Sequence, residues 1–163
     1  MSTLIIGLGN PLVTDDSVGL RVAAELRSRL AGRSDVAVVE DHWGGLRLME
    51  QMVGYDRAIV IDAMCSGAPP GTIHHLAPGD VPTQRSASSH DMTLPTALAL
   101  GRQAGLRLPE DDAITLVGIE ADDILNFGET CTPAVAAAVS SAVVDVLALL
   151  DSPQPEEAGD PLP

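Results

Sequence analysis

The chain has 163 residues, a length that favours one domain with a substantial core. Its formal net charge is −14, from 23 acidic and 9 basic residues, and every basic residue is arginine. The lack of lysine excludes a P-loop, Schiff-base chemistry and a serine–lysine dyad. The charge opposes contact with nucleic acid. No apolar run suggests a membrane span or a signal peptide, so we expect a cytoplasmic protein that binds neither nucleic acid nor membrane.

Predicted strands and helices alternate from the first residues onward. Residues 3–8 form an apolar strand that ends at a glycine-rich turn. Thr14 or Asp15 is then expected to cap a helix. The buried face of that helix is predicted from apolar residues that recur every four positions: Val18, Val22, Leu26 and Leu30.

The alternation continues through the middle of the chain. Residues 36–40 are predicted as a strand, residues 46–53 as a helix and residues 58–62 as a fully buried strand. Residues 71–76 are predicted as a short edge strand, because they follow two prolines and carry the adjacent His74 and His75, which must face opposite ways.

The second half of the chain opens with a loop over residues 77–91, followed by a helix that begins near Thr93 and ends at Gly105. Residues 114–119 are predicted as a buried strand, and the last helix starts at Thr132 and Pro133. The fold class is therefore α/β, a single three-layer αβα domain over residues 1–151 with a mainly parallel, doubly wound sheet of about five strands. Residues 152–163 form a proline-rich acidic tail that is predicted to be disordered.

Three polar residues are predicted at the carboxyl ends of the strands, where such sheets bind ligands. Asp16 follows the first strand, Asp62 ends the strand over residues 58–62, and His90 ends the long loop. If the first and third strands are neighbours, two carboxylates and an imidazole can converge, and this set suits a divalent transition metal. The alternative is structural: Asp16 as a favourable charge at a helix N-terminus, Asp62 as a cap and His90 as a solvated residue.

Other sites are less well supported by the sequence. A dinucleotide fingerprint needs a third glycine where this chain has Leu12, and Asp15 and Asp16 would repel a pyrophosphate. Cys65 could act as a nucleophile with His90 as its base, but the preferred interpretation of Cys65 is a small buried hydrophobic residue. The remaining histidines are interpreted as surface residues: His42, His74 and His75.

Short motifs run in a fixed order from about residue 3 to residue 150. They are Gly7-Leu8-Gly9-Asn10-Pro11-Leu12, Asp15-Asp16-Ser17-Val18-Gly19, Ile61-Asp62-Ala63, Pro70-Gly71, Ser89-His90-Asp91, Val117-Gly118-Ile119 and the stretch from Leu125 to Val135. Together they resemble the [NiFe]-hydrogenase maturation endopeptidases. The resemblance implies an αβα metal-dependent endopeptidase that cuts a C-terminal peptide from the hydrogenase large-subunit precursor after nickel insertion. The implied ligands are Asp16, Asp62 and His90, and the metal is nickel, held by the enzyme or supplied by the substrate, or another divalent ion.

The turn after the second strand departs from this family, whose members commonly have an Asp-Gly-Gly-Thr-type turn there. This chain has Glu40-Asp41-His42-Trp43-Gly44-Gly45, so either Glu40 or Asp41 could supply the acidic residue. Two alternatives stay open. Residues 4–11 also look like the opening of peptidyl-tRNA hydrolases, although the match ends there and the charge opposes tRNA. A nickel-sensing chaperone would bind the large subunit without cutting it.

Overall fold

The computed structural model describes residues 1–80 and 92–153 of the chain. These residues include five strands: β1 (Thr3–Leu8), β2 (Val36–Asp41), β3 (Arg57–Met64), β4 (Ile73–Leu76) and β5 (Ile114–Glu120). The described part of the chain also has four α-helices: α1 (Val18–Arg29), α2 (Gly45–Met52), α3 (Leu94–Gln103) and α4 (Pro133–Asp151). Short 3-10 turns occupy Asp15–Ser17, Pro78–Asp80 and Asp111–Ala113. The predicted alternation of strands and helices is confirmed.

The strands form one sheet in the order β2-β1-β3-β5-β4. All pairs are parallel except β4 with β5, which run antiparallel at one edge. The chain moves outward from β1 to β2 and then crosses back to β3 on the other side of β1. The winding therefore reverses between β1 and β3, and a ligand crevice is expected at the carboxyl ends of these two strands.

Two apolar cores lie on opposite faces of the sheet and give the three predicted layers. Ile5 of β1 joins a cluster with α1 and α4, whereas its neighbours Leu4 and Ile6 join a cluster with α2 and α3. This alternation is the period of two expected for a strand that is covered on both faces. The predicted apolar stripe of α1 is buried throughout.

Helix α4 has 19 residues and is long and apolar enough to cross a membrane, with a mean hydropathy of 2.0 over a stretch of 18 residues. In the fold, however, its side chains Val135, Ala142, Val143 and Val146 are fully buried in the core shared with α1 and the sheet. One stripe of α4 is therefore packed in the core, whereas 28% of its apolar stretch as a whole is buried inside the domain.

The predicted cap of the first helix was wrong. Neither Thr14 nor Asp15 makes a capping bond at the start of the 3-10 turn or of α1. Thr14 instead donates its hydroxyl to the carbonyl of Asn126 at 2.7 Å, and the Asp15 carboxylate binds the segment after β5. These contacts join residues more than 100 positions apart, so the local pattern could not have shown that they replace the cap.

Candidate functional site

Asp16 is held against the end of β1 by the turn that follows this strand. The Asn10 amide donates a hydrogen bond to Oδ2 of Asp16 at 3.1 Å. Gly9 lies so close to the backbone of Asp16 that a Cβ atom added to Gly9 would be 2.0 Å from the carbonyl oxygen of Asp16. The Gly-Leu-Gly-Asn turn thus brings the acidic 3-10 turn back onto the strand, which a larger residue at Gly9 would prevent.

Asp62 lies within β3 and does not end it, contrary to the sequence-based prediction. Pairing with β5 continues to Met64, whereas pairing with β1 stops at Ile61. Pairing of β1 with β3 therefore ends just before Asp62, because the chain turns away after Leu8. Oδ1 of Asp62 accepts a hydrogen bond from the Ala63 amide at 2.8 Å.

The fold brings Asp16, in the turn after β1, and Asp62, in the neighbouring strand β3, to the carboxyl end of the sheet. The 3-10 turn that carries Asp16 contacts β3, and both carboxylates are half-buried. They flank the reversal of winding between β1 and β3, where the sequence predicted a shared site. Their oxygen atoms are ligands suited to a divalent metal.

His90, the third predicted ligand, lies outside the described residues. Within residues 1–80 and 92–153, no group of three histidine, cysteine or acidic side chains is arranged to hold a metal ion. The described chain resumes at Met92, whose carbonyl oxygen would lie 2.4 Å from a Cβ added to Gly45, the first residue of α2. The three-ligand set therefore stays a prediction.

Asp15, beside Asp16 in sequence, has a different role. It is fully buried and accepts hydrogen bonds from the amides of Asp122 at 2.9 Å and of Asp123 and Thr132 at 2.8 Å, and from the Thr132 hydroxyl at 2.8 Å. Burial alone would raise the pKa of Asp15, but these hydrogen bonds outweigh it and lower the pKa below its ordinary value. Asp15 is thus the anchor for the segment between β5 and α4.

Glu40 and Asp41, either of which could supply the acidic residue of this turn, have different surroundings. Glu40 is exposed and pairs with Arg27 at 3.1 Å. Asp41 is buried and accepts from the His42 amide at 2.7 Å and from Arg47 Nε at 2.8 Å. Burial favours a higher pKa for Asp41, but the Arg47 and His42 hydrogen bonds lower it. Asp41 therefore braces the turn after β2.

His42 contacts the turn that positions Asp16. Its Nδ1 lies 2.6 Å from the carbonyl oxygen of Gly9, and the Gly9 amide donates to the carbonyl of Asp41 at 3.1 Å. The interpretation of His42 as a surface residue was incomplete, since its exposed ring links the turns after β1 and β2.

Glu120 at the carboxyl end of β5 was missed by the sequence analysis. It is only 2% exposed and accepts from Ser66 N at 2.6 Å, Ser66 Oγ at 2.8 Å and Gly67 N at 2.9 Å. Nε2 of His74 is buried and lies 3.3 Å from Oε2 of Glu120, at an angle outside regular hydrogen-bond geometry. The surface interpretation of His74 was therefore wrong, because the edge strand turns this ring towards β5.

Cys65 follows β3 and is exposed, so its interpretation as a small buried hydrophobic residue was also wrong. The strand ends at Met64, and the chain then leaves the core. Exposure at this edge of the sheet is compatible with a reactive thiol.

We expect the Glu120→Gln variant to lose stability at neutral pH and to lose less in acid. Burial raises the pKa of Glu120, but the hydrogen bonds from Ser66 and Gly67, together with the nearby His74 ring, lower it below the ordinary 4.5. Such a carboxylate stabilises the fold above that value, and its contribution fades as the pH falls through the lowered pKa. At pH 7 the free energy of unfolding should drop by about 1–3 kcal/mol.

Urea unfolding of both proteins from pH 7 down to pH 3 measures this effect. The difference between Glu120→Gln and the unchanged chain should shrink below pH 4.5. A difference that stays constant over the whole range would mean that the charge of Glu120 contributes nothing to stability.

Comparison with known proteins shows the same family along most of the chain. The profile of the family described as hydrogenase maturation protease (HycI) matches residues 20–149. The hydrogenase 2 maturation protease of Escherichia coli (strain K12) is 31% identical over 92% of this chain and 91% of that protein. The hydrogenase expression/formation protein HupD of Thiocapsa roseopersicina is 26% identical over 86% of this chain, which spans 63% of its length.

A solved structure agrees with these relatives. The hydrogenase maturating endopeptidase HybD from E. coli matches the fold with a TM-score of 0.73, at 29% identity and with 92% of each chain covered. The matches confirm the αβα fold and the resemblance found in the sequence motifs. The chain belongs to the hydrogenase maturation protease family and is an endopeptidase of that family.

Proposed function

We propose that this protein removes a C-terminal peptide from the precursor of a [NiFe]-hydrogenase large subunit once nickel has been inserted. The observation that carries this proposal is the pair of half-buried carboxylates, Asp16 and Asp62, at the β1/β3 reversal of a maturation protease fold. Sheets of this kind bind their ligands outside the carboxyl ends of the strands, so a peptide segment that arrives from outside the domain is expected to bind here. We also propose that the protein works in the cytoplasm.

Asp16, Asp62 and His90 are the proposed nickel ligands, and the nickel is carried by the precursor. Two carboxylates and one imidazole leave coordination positions for groups of the substrate. Binding would then test whether nickel insertion is complete. A divalent metal at this place would polarise the scissile carbonyl and favour attack by water. Because Cys65 is exposed three residues after Asp62, a thiol nucleophile is the second candidate mechanism.

Incubation with nickel-loaded and nickel-free precursor, followed by mass analysis of the large subunit, tests the function. We expect the loaded precursor to lose its C-terminal peptide and the nickel-free precursor to stay intact. Enzyme treated with a chelator and then desalted should still cut the loaded precursor, because the precursor supplies the metal.

Two outcomes would contradict this scheme. Tight binding of the loaded precursor with no change of mass at stoichiometric enzyme would identify a chaperone. Loss of cleavage after chelation, restored by added metal, would show that the enzyme holds the metal itself.

A further inference from the structure

Large apolar side chains are exposed on two adjoining segments next to the candidate site. Leu125 is 86% exposed, Phe127 83%, Leu12 64% and Ile124 40%. We name these four residues the apolar rim. Leu12 belongs to the turn after β1, and the other three belong to the segment after β5. Exposed apolar residues that adjoin one another are typical of a surface that binds another protein.

The apolar rim is presented by a well-ordered network of hydrogen bonds. Oδ1 of Asp123 accepts from the amides of Leu125 and Asn126, each at 3.0 Å. The Thr14 amide donates to the carbonyl of Asn126 at 3.1 Å, and the Gly128 amide donates to the carbonyl of Leu12 at 3.1 Å. Val13 and Phe127 form an isolated antiparallel bridge. The exposure of these side chains is thus built into the fold, which lowers the entropic cost of binding a partner.

The rim is continuous with the candidate site. The same segment is anchored by the buried Asp15, which accepts from the amides of Asp122 and Asp123. Asp15 precedes Asp16 in one 3-10 turn, so the rim and the Asp16 carboxylate are held by the same short stretch of chain. A substrate whose scissile segment reaches the Asp16 carboxylate would therefore lie near the rim.

Charge indicates the chemistry of the partner. Residues 120–129 contain four acidic residues and no basic residue, and Asp122 and Glu129 are exposed. A second copy of this chain, with its net charge of −14, would bring like charges together. A partner surface with apolar side chains flanked by arginine or lysine would be attracted instead.

We propose that the apolar rim is the docking surface for the large-subunit precursor, which it binds through an apolar, basic-flanked patch separate from the scissile segment. This inference rests on the proposed function for the identity of the substrate. The rim binds the surface of the precursor, whereas Asp16 and Asp62 are the proposed ligands of its nickel, beside the bond that is cut.

The double variant Leu125→Ser/Phe127→Ser tests the role of the rim. We expect KM for the nickel-loaded precursor to rise about 10- to 100-fold with little change in kcat, since a few exposed apolar residues dominate the affinity of an interface. The matched control is Val144→Ser, a 62% exposed apolar residue on α4, whose KM should not change. Thermal melts should show all three proteins folded, because the substituted side chains are exposed.

A binding measurement separates this inference from the proposed function. The Asp62→Asn substitution is added to both proteins to prevent cutting. In this background, Leu125→Ser/Phe127→Ser should raise the Kd for the loaded precursor by the same factor as it raises KM. Suppose that the unchanged enzyme cuts the precursor and that the rim variant has the same KM and Kd as the unchanged enzyme. That result would overturn the docking surface and leave the proposed function intact. Binding that is lost in the rim variant, with no cleavage by the unchanged protein, would support the docking surface and refute the protease. A dimer of the unchanged chain that the rim variant dissociates would assign the rim to self-association and overturn the inference.

Discussion

Asp62→Asn and Asp16→Asn should each lower the rate of precursor cleavage by about 10²- to 10⁴-fold, the range in which a single group at the reacting centre contributes. The domain should stay folded, because both positions are half-buried and asparagine keeps an oxygen that can accept from the Ala63 or Asn10 amide. Mass analysis of the large subunit over time gives the rate, and circular dichroism melts give the stability.

An exposed aspartate at the amino end of the strands, opposite the candidate site, is the matched control for these variants. Asp112 lies in the 3-10 turn before β5, at its amino end, and Asp112→Asn should cut the precursor at the normal rate. His90→Ala should be inactive if His90 is the third ligand. Cys65→Ser should remain active, because we place the chemistry at the metal rather than at the thiol.

Two results would change this scheme. Active, folded Asp16→Asn and Asp62→Asn enzymes would remove the carboxylates from the mechanism. A folded but inactive Cys65→Ser, next to an active His90→Ala, would make the exposed thiol the nucleophile.

Gly19→Ala should destabilise the domain by about 3 kcal/mol or more, at the upper end of the range for overpacking. Gly19 lies in the first turn of α1, and a Cβ added there would be 2.3 Å from the carbonyl oxygen of Leu8 and 2.4 Å from that of Ile61. Both atoms are backbone of the two central strands, so neither can move without disturbing the sheet. Alanine favours a helix over glycine by only about 1 kcal/mol, which cannot compensate.

The same clash would displace the start of α1 and with it Asp16, three residues earlier. We therefore expect Gly19→Ala to lose cleavage activity even at denaturant concentrations below its midpoint of unfolding. Gly32→Ala is the matched control, because nothing lies within 4 Å of its added Cβ, and its stability should change by no more than about 0.5 kcal/mol. Chemical unfolding of both variants measures the difference. Equal stability of Gly19→Ala and Gly32→Ala would mean that α1 leaves room for a Cβ atom between Gly19 and the backbone of β1 and β3.

Several errors of the sequence analysis have one physical cause. Asp15 and Asp16 are chemically identical neighbours at a helix start, yet one is buried under the segment that follows β5 and the other lies at the edge of the sheet. Glu120, His74 and Cys65 were likewise misjudged or missed, because their surroundings come from β3, β4 and β5 together. A local pattern carries no information about partners more than 40 residues away along the chain.

The sequence by itself determined the order of strands and helices, the doubly wound sheet and the strand ends at which to search for a site. It could do so because apolar periodicity and glycine or proline turns are local properties, and because few topologies satisfy them. Only the tertiary structure decided which of two adjacent carboxylates is structural, where β3 ends, how Asp41 and Glu40 are oriented, and that Leu125 and Phe127 are held exposed. These features depend on burial and on hydrogen bonds between distant segments, which exist only once the chain has folded.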